Sequence, residues 1–238
     1  MLSLTFFFYV IIKLVIYMET IIILVIILLP LLSQAIITST YNTYAKIASS
    51  KNMTGKDVAR LILDNNGLNN VSINEISGTL SDHYSPKEKS VNLSNRIYEE
   101  NSISSISVAA HEVGHAIQDK ESYSFLRFRS ALVPVVNFTS RFATLFITIG
   151  FVTELFNLVK IGIILMSAGL LFQLITLPVE FDASRRAKME LQKLNIVDKK
   201  DLKGTDAVLQ AAAFTYVANF LASALQVIRL VLINRNRR

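Results

Sequence analysis

Long apolar blocks and mixed polar blocks alternate along this chain, and the blocks predict its architecture. The run "IIILVIILLPLLSQAII", Ile21 to Ile37, carries no charge and is nearly long enough by itself to cross a bilayer core. Only Lys13 and Glu19 are charged in the first 37 residues, so 1–37 should hold a hydrophobic segment and the first transmembrane helix, with Lys13 breaking 1–17 off as a separate apolar piece. Met18 leaves open whether the functional chain begins there. A cleaved signal peptide is the alternative, but no basic n-region and no A-x-A-like site accompany the run, so the anchor is expected to stay. From Ala131 to Val179 the chain is apolar again, which predicts a transmembrane hairpin over 131–179 with Glu154 and Lys160 marking its turn. A last apolar run within 207–238 predicts a fourth span, ending in the basic tail "NRNRR".

The polar blocks, 38–130 and 180–206, must lie on one side of the membrane, because two crossings separate them. Short periodic segments and turn formers mark 38–130 as a small soluble module. Thr54 to Asp57 reads as a capping box, with Val58, Leu61 and Ile62 on one helical face and Gly67 just beyond its end. Val71 and Ile73, then Val91 and Leu93, alternate in two runs that predict a pair of strands separated by a long turn segment. The run "SVNLS", Ser90 to Ser94, reads either as an edge strand able to bind an extended peptide or as a plain core strand. Ser102 is the N-cap of the next helix, whose Ile103, Ile106, Ala110, Val113 and Ile117 recur at helical spacing down to Gln118.

Composition agrees with a membrane protein: 52% of residues are hydrophobic and the mean hydropathy is +0.44. The net charge of +6 comes from basic residues interleaved with 18 acids, without the basic, aromatic-interleaved stripe of a nucleic-acid binder. Flanks of membrane helices account for it. The shared side carries Lys46, Lys51, Lys56, Lys120, Arg127, Arg129 and seven cations after Glu180; the other side carries Lys13, Lys160 and the three tail arginines. That bias predicts a multi-pass cell-membrane protein with a cytoplasmic module. Arg141 should face the bundle interior or lie near the interface, and Arg229 should snorkel to headgroups.

With no cysteine, any metal site must use His, Asp or Glu. Two of the three histidines fall in "SVAAHEVGHAIQDK" as His111-Glu112-x-x-His115. Residues i and i+4 share a helix face, so His111 and His115 can hold one zinc ion, with Glu112 placed to take a proton from a water beside it. The small residues Ala109, Ala110, Gly114 and Ala116 leave room next to that face. A catalytic zinc needs a third protein ligand and an open position. His83 and Glu180 are both on the module's side; Glu180 should begin a helix after Pro178, with Ala183 small enough for that helix to pack closely.

The segments "DHYSP" (82–86), "VAAHEVGHAIQ" (108–118), "LRFRSALVPVVN" (126–137) and "FQLITLPVEFDASRRA" (172–187) together resemble the YugP-like neutral zinc metallopeptidases of bacterial membranes, from about Tyr41 to Leu230. Glu180 is also similar to the second-helix glutamate of gluzincin peptidases. The resemblance, which extends to HtpX-type and CAAX prenyl membrane proteases, implies His111, His115 and Glu180 as ligands of one zinc ion per chain and Glu112 as catalytic base. One departure is visible: the HtpX-type pattern has an aspartate four residues after the ligand glutamate, where this chain has Ser184. Asp182 reads equally as an outer support of the site or as a helix cap. His83, Tyr84 and Arg185 are candidates for a further catalytic donor, His83 also reading as a plain turn histidine.

The expected protein is thus a mainly α membrane protein of about four transmembrane helices with a small α+β, gluzincin-like catalytic module. Its expected function is zinc-dependent endopeptidase cleavage of proteins or peptides near the membrane, with peptide substrate and lipid bilayer as partners. The competing reading is a proteolytically inactive zinc-binding scaffold. It fits less well, since Glu112 is present and structural zinc sites usually close all four positions with protein ligands.

Overall fold

A computed structural model describes residues 2–235; the last three residues of the basic tail lie outside the described residues. Seven helices and three short strands follow one another: α1 Leu2–Tyr44, α2 Gly55–Asn65, β1 Ser72–Ile76, β2 His83–Ser85, β3 Ser90–Ser94, α3 Asn95–Glu99, α4 Ile103–Lys120, α5 Ser124–Val152, α6 Phe156–Lys193 and α7 Lys199–Arg235. Four of them are long and apolar enough to cross a membrane: Ile16–Tyr44 within α1, and α5, α6 and α7. The protein is therefore a mainly α membrane protein carrying a small mixed sheet. Two compact units share these helices, one made of Met1–Leu32, Pro134–Gln173 and Val217–Arg238, the other of Ser33–Val133 and Leu174–Tyr216.

In the first unit the hairpin of α5 and α6 turns at Thr153 to Leu155, where Glu154 takes a left-handed conformation (φ 58°). Gly162 lets the two helices approach, since a Cβ there would lie 3.0 Å from the Ala143 carbonyl oxygen. Val159, Ile163 and Leu230 form its buried centre, while Leu24, Leu28, Ile149, Ile161, Ile164 and Leu232 point outward as a lipid-facing surface does. Two charged residues bear on the expectations. Arg229 is paired, its Nε donating to Glu19 Oε2 at 2.8 Å with both side chains partly exposed. Arg141 lies on the exposed face of α5, which excludes the first of its two expected placements, the bundle interior.

In the second unit the Thr54 capping box forms, with its hydroxyl accepting from the Asp57 amide at 3.1 Å, and Ser102 caps α4 by accepting from the Ser105 amide. Val58, Ile62 and Leu63 of α2, Ile106, Ala109 and Val113 of α4, and Ala187 and Leu191 of α6 share one core with the sheet. The sheet order is β1-β3-β2, with β1 parallel and β2 antiparallel to β3. "SVNLS" is therefore the central strand, buried at every position, and not an edge. A third strand, β2, arises inside the segment expected to be only turn. There the buried Tyr84 hydroxyl donates to Asp119 Oδ2 at 2.7 Å, and Asp82 accepts from the Ser94 amide at 2.7 Å, which holds the strand against β3.

Pro178 does not start a helix but lies inside α6. Proline removes one backbone hydrogen bond, a loss a long apolar helix tolerates better than the exposure of several unpaired groups at a break. α1 is likewise continuous from Leu2 through Lys13, Glu19 and Pro30, with no break at Lys13.

Candidate metal centre

α4 and α6 carry the candidate site, and both belong to the second unit where they do so. On α4, His111 and His115 stand one turn apart with ring centroids 4.8 Å from each other and planes at 85°. From α6, Glu180 Oε2 comes within 3.2 Å of His111 Nε2 and 3.6 Å of His115 Nε2. One donor atom from each residue lies within 4.8 Å of the others, a cluster that could hold a metal ion. Glu180 is 2% exposed, and its other oxygen, Oε1, pairs with Arg129 Nη1 at 3.3 Å.

The helix crossing makes this convergence possible. Gly114, between the two histidines, lies against the backbone of Ala183, and a Cβ at 114 would sit 2.6 Å from the Ala183 carbonyl oxygen. Ala183 is fully buried, as its small size predicts.

Each histidine is also held from behind. His115 Nδ1 donates to Gln118 Oε1 at 3.0 Å, and Gln118 Nε2 donates in turn to the Val179 carbonyl at 2.8 Å and to Asp182 Oδ2 at 3.0 Å. Asp182, itself paired with Arg185 and Arg186, thus supports the site through Gln118 rather than capping a helix. His111 Nδ1 lies 3.2 Å from Ser184 Oγ. Serine therefore occupies the place where the HtpX-type pattern puts an aspartate. With both Nδ1 atoms engaged, both Nε2 atoms are left toward Glu180, the orientation that metal-binding imidazoles need. Two imidazole nitrogens and a carboxylate, buried and so oriented, fit zinc.

Glu112 does not join the cluster; it lies beside it in the walls of two cavities of about 240 Å³ each, which also share Asp82 and Tyr216. Burial pushes the Glu112 carboxyl up to about 7, and the Glu180 carboxylate adds to this against the opposing pull of His111. Burial likewise raises Asp82, against the hydrogen bonds it accepts from Ser94.

Of the three candidate further donors, His83 and Tyr84 both line the second cavity, and Arg185 does not. His83 stands there with Glu112, His115 and Glu180, its Nδ1 2.9 Å from the Ser81 carbonyl and its Nε2 3.3 Å from Asn92 Nδ2. Tyr84 is committed to Asp119 and Arg185 to Asp182. Two residues not picked out by sequence stand closer: Arg129, on Glu180, and Tyr216, which interacts with the Glu180 carboxylate. Arg129 falls inside the "LRFRSALVPVVN" segment but reads there as a membrane-flanking cation; Tyr216 reads as one more apolar residue of the last span. Gln118 reads in the sequence only as the end of the α4 periodicity, and its place three residues after His115 is the signal that points to it.

A family model described as "Putative neutral zinc metallopeptidase" matches residues 19–235. The chain is 46% identical over 206 residues to the "Putative membrane protease YugP" of Bacillus subtilis (strain 168), an alignment covering 87% of this chain and 92% of that protein. No solved structure matches significantly. With a match across nearly its whole length, and a buried His-His-Glu cluster within it, the chain belongs to the family described as "Putative neutral zinc metallopeptidase".

Proposed function

We propose that this membrane protein is a zinc-dependent endopeptidase acting on protein or peptide chains near the membrane, and that His111, His115 and Glu180 hold one zinc ion per chain. The observation that carries the reading is the convergence of the three donor atoms within 4.8 Å, beside a buried carboxyl that is not among them. Zinc, when bound there, supplies a Lewis acid that polarises a scissile carbonyl and acidifies water.

The chain's own residues do the rest. Glu112 is the general base: it takes a proton from the attacking water and returns it to the leaving amine nitrogen. In the metal-free site burial raises this carboxyl to about 7, and a raised carboxyl suits a group that must both accept and donate. Arg129 holds the second oxygen of Glu180, so that carboxylate presents a single oxygen to the histidines. Tyr216, in the cavity wall next to Glu112, is placed to donate to the oxyanion that forms on the substrate, and His83 in the same wall would donate once its Nε2 is protonated and leaves Asn92. The edge of the sheet on the cavity side is β2, and a substrate would lie extended along it, a role that β3 cannot take from the middle of the sheet.

In this reading residues 1–37, 131–179 and 207–238 are membrane segments, 38–130 is the catalytic module and 180–206 delivers the third ligand. The distribution of cations supports a cytoplasmic module.

The test is zinc content and hydrolysis of a fluorogenic peptide by the full-length protein in detergent, with and without chelator. Wild type should lose hydrolysis with chelator. Glu112→Gln should keep its zinc and lose hydrolysis by three orders of magnitude or more, in the range of general acid–base loss, whereas undiminished hydrolysis would rule out Glu112 as the base. Glu180→Ala should lose zinc; normal occupancy would remove Glu180 from the ligand set.

A further inference from the structure

The two cavities that meet at Glu112 differ in the chemistry of their walls. Arg129 and His83 line the second, whereas no lysine or arginine lines the first. The first lies wholly within the second unit, between α1, α4 and α7. Ile37 of α1, Val108 of α4 and Val208, Leu209 and Ala212 of α7 give it an aliphatic surface, and α1 and α7 are among the helices able to cross a membrane. Its charged groups, Asp82, His111 and Glu112, are those of the candidate site. Gln34 and Thr215 are uncharged, and the Thr215 hydroxyl donates to the Ala212 carbonyl at 2.7 Å.

This cavity is cut into the interior rather than laid on the surface, since Ile37, Val208 and Leu209 are each 7% exposed or less. A close-packed core keeps such a volume only at a cost, because the lining forgoes contacts. Leu80, the apolar wall residue that comes from a loop, is 36% exposed and so stands between the cavity and solvent. Its backbone is held at φ 55°. That left-handed conformation is strained for a leucine, and strain of this kind collects at ligand clamps and active sites. A basic side chain is the rival occupant, because Asp82 lies in the wall. Both Asp82 oxygens already accept from Ser94, Oδ1 from its amide at 2.7 Å and its hydroxyl at 3.0 Å, and Oδ2 from the hydroxyl at 3.2 Å. Asp82 also lines the second cavity, so it stands where the two meet and not at the aliphatic end.

Taking the protein as the zinc endopeptidase proposed above, we infer that the first cavity receives a bulky apolar side chain, of the leucine or phenylalanine kind, from the substrate residue beside the scissile bond. Ala212 limits the size of that side chain. It is the smallest of the aliphatic wall residues, and a larger one in its place occupies the space the guest needs. The chain segments selected for cleavage are therefore apolar next to the cut, with burial of the guest side chain supplying the discrimination.

The test uses the full-length, zinc-loaded protein in detergent and a polar host peptide carrying one guest residue: leucine, phenylalanine, alanine, lysine or glutamate. Mass spectrometry locates and times the cuts, and fluorescence anisotropy measures binding of the same peptides to Glu112→Gln. The bond beside leucine or phenylalanine should be cut with kcat/KM about tenfold or more above that beside alanine, the scale of discrimination in an apolar pocket. Lysine and glutamate should fall below alanine, and binding should follow the same order. Ala212→Phe should lower the leucine-to-alanine ratio about tenfold in both measurements, and the milder Ala212→Leu should lower it in the same direction. Zinc content reports that each variant keeps its fold. Preferential binding of the leucine peptide with no cleavage of any peptide would sink the endopeptidase reading and leave the pocket standing. Cleavage or binding indifferent to the guest, a preference for lysine or glutamate, wild-type ratios in both Ala212 variants, or no binding of any peptide would overturn the pocket.

Discussion

Gly114 of α4 rests against the carbonyl of Ala183 on α6, closely enough that a single added methyl would sit 2.6 Å from that oxygen. The candidate ligands straddle this crossing, His111 and His115 on one helix and Glu180 on the other. Their convergence therefore depends on a residue that touches no metal. Gly114→Ala should push the helices apart at a cost of about 1–3 kcal/mol in stability and weaken zinc binding at least tenfold. Competition with a chromogenic chelator measures the affinity, and wild-type affinity in the variant would show that the crossing does not set the site.

The supports behind the imidazoles are separable from the ligands. Ser184→Ala removes the partner of His111 Nδ1, and Gln118→Leu removes that of His115 together with the link to Asp182. Each should lower zinc affinity about 10- to 100-fold while leaving the stoichiometry at saturation unchanged. Ser184→Asp, which restores a carboxylate at that place, should bind at least as tightly as wild type.

His83 tests the oxyanion assignment. His83→Ala should retain full zinc and a near-normal KM while kcat for peptide hydrolysis falls about 10²- to 10³-fold, the usual loss on removing one such donor. A kcat within a factor of two of wild type would reduce His83 to the turn histidine that its contact with Ser81 also permits.

Glu112 should make the metal-free protein less stable as pH rises. Its carboxyl has a folded-state value of about 7 against an ordinary 4.5, so the folded state holds the proton more tightly than the unfolded chain. The associated stability is fully present below pH 4.5 and is lost as pH rises through 7, by about 3 kcal/mol in total. Thermal melts of the metal-free protein should show wild type and Glu112→Gln alike near pH 4.5, with the variant several degrees more stable at pH 8. Parallel curves across that range would count against the burial of this carboxyl.

Glu19 and Arg229 form a partly exposed ion pair. Removing either partner alone, by Glu19→Leu or Arg229→Leu, should cost about 1 kcal/mol, because the survivor is left without its counter-charge. The double leucine variant should recover most of that loss. Melting in detergent compares the three, and an additive double variant would mean that the two side chains do not act as a pair.

Much of this protein was legible in one dimension. Spans declare themselves because lipid demands about twenty apolar residues whatever their neighbours are. His111, Glu112 and His115 lie within five positions of one helix, where the 3.6-residue period alone sets their directions. The capping box at Thr54 and the cap at Ser102 are equally local, and both formed. The third member of the metal cluster was reachable through topology and family resemblance, but its contact distance with the histidines was not.

What only the tertiary structure decided involves partners distant along the chain. Arg229 meets Glu19 across 210 positions, and Ser184 meets His111 across 73, so neither spacing carries a periodic signal. Arg129 and Tyr216 read as a flanking cation and an apolar residue until the fold sets them beside Glu180. The order of the three strands depended on Tyr84 finding Asp119 and Asp82 finding Ser94, and that placed "SVNLS" in the centre of the sheet. Periodicity specifies which way a side chain points from its own element. Which group it then meets is set by packing between elements, and the two histidines of α4 become a candidate metal centre only where α6 can approach at Gly114.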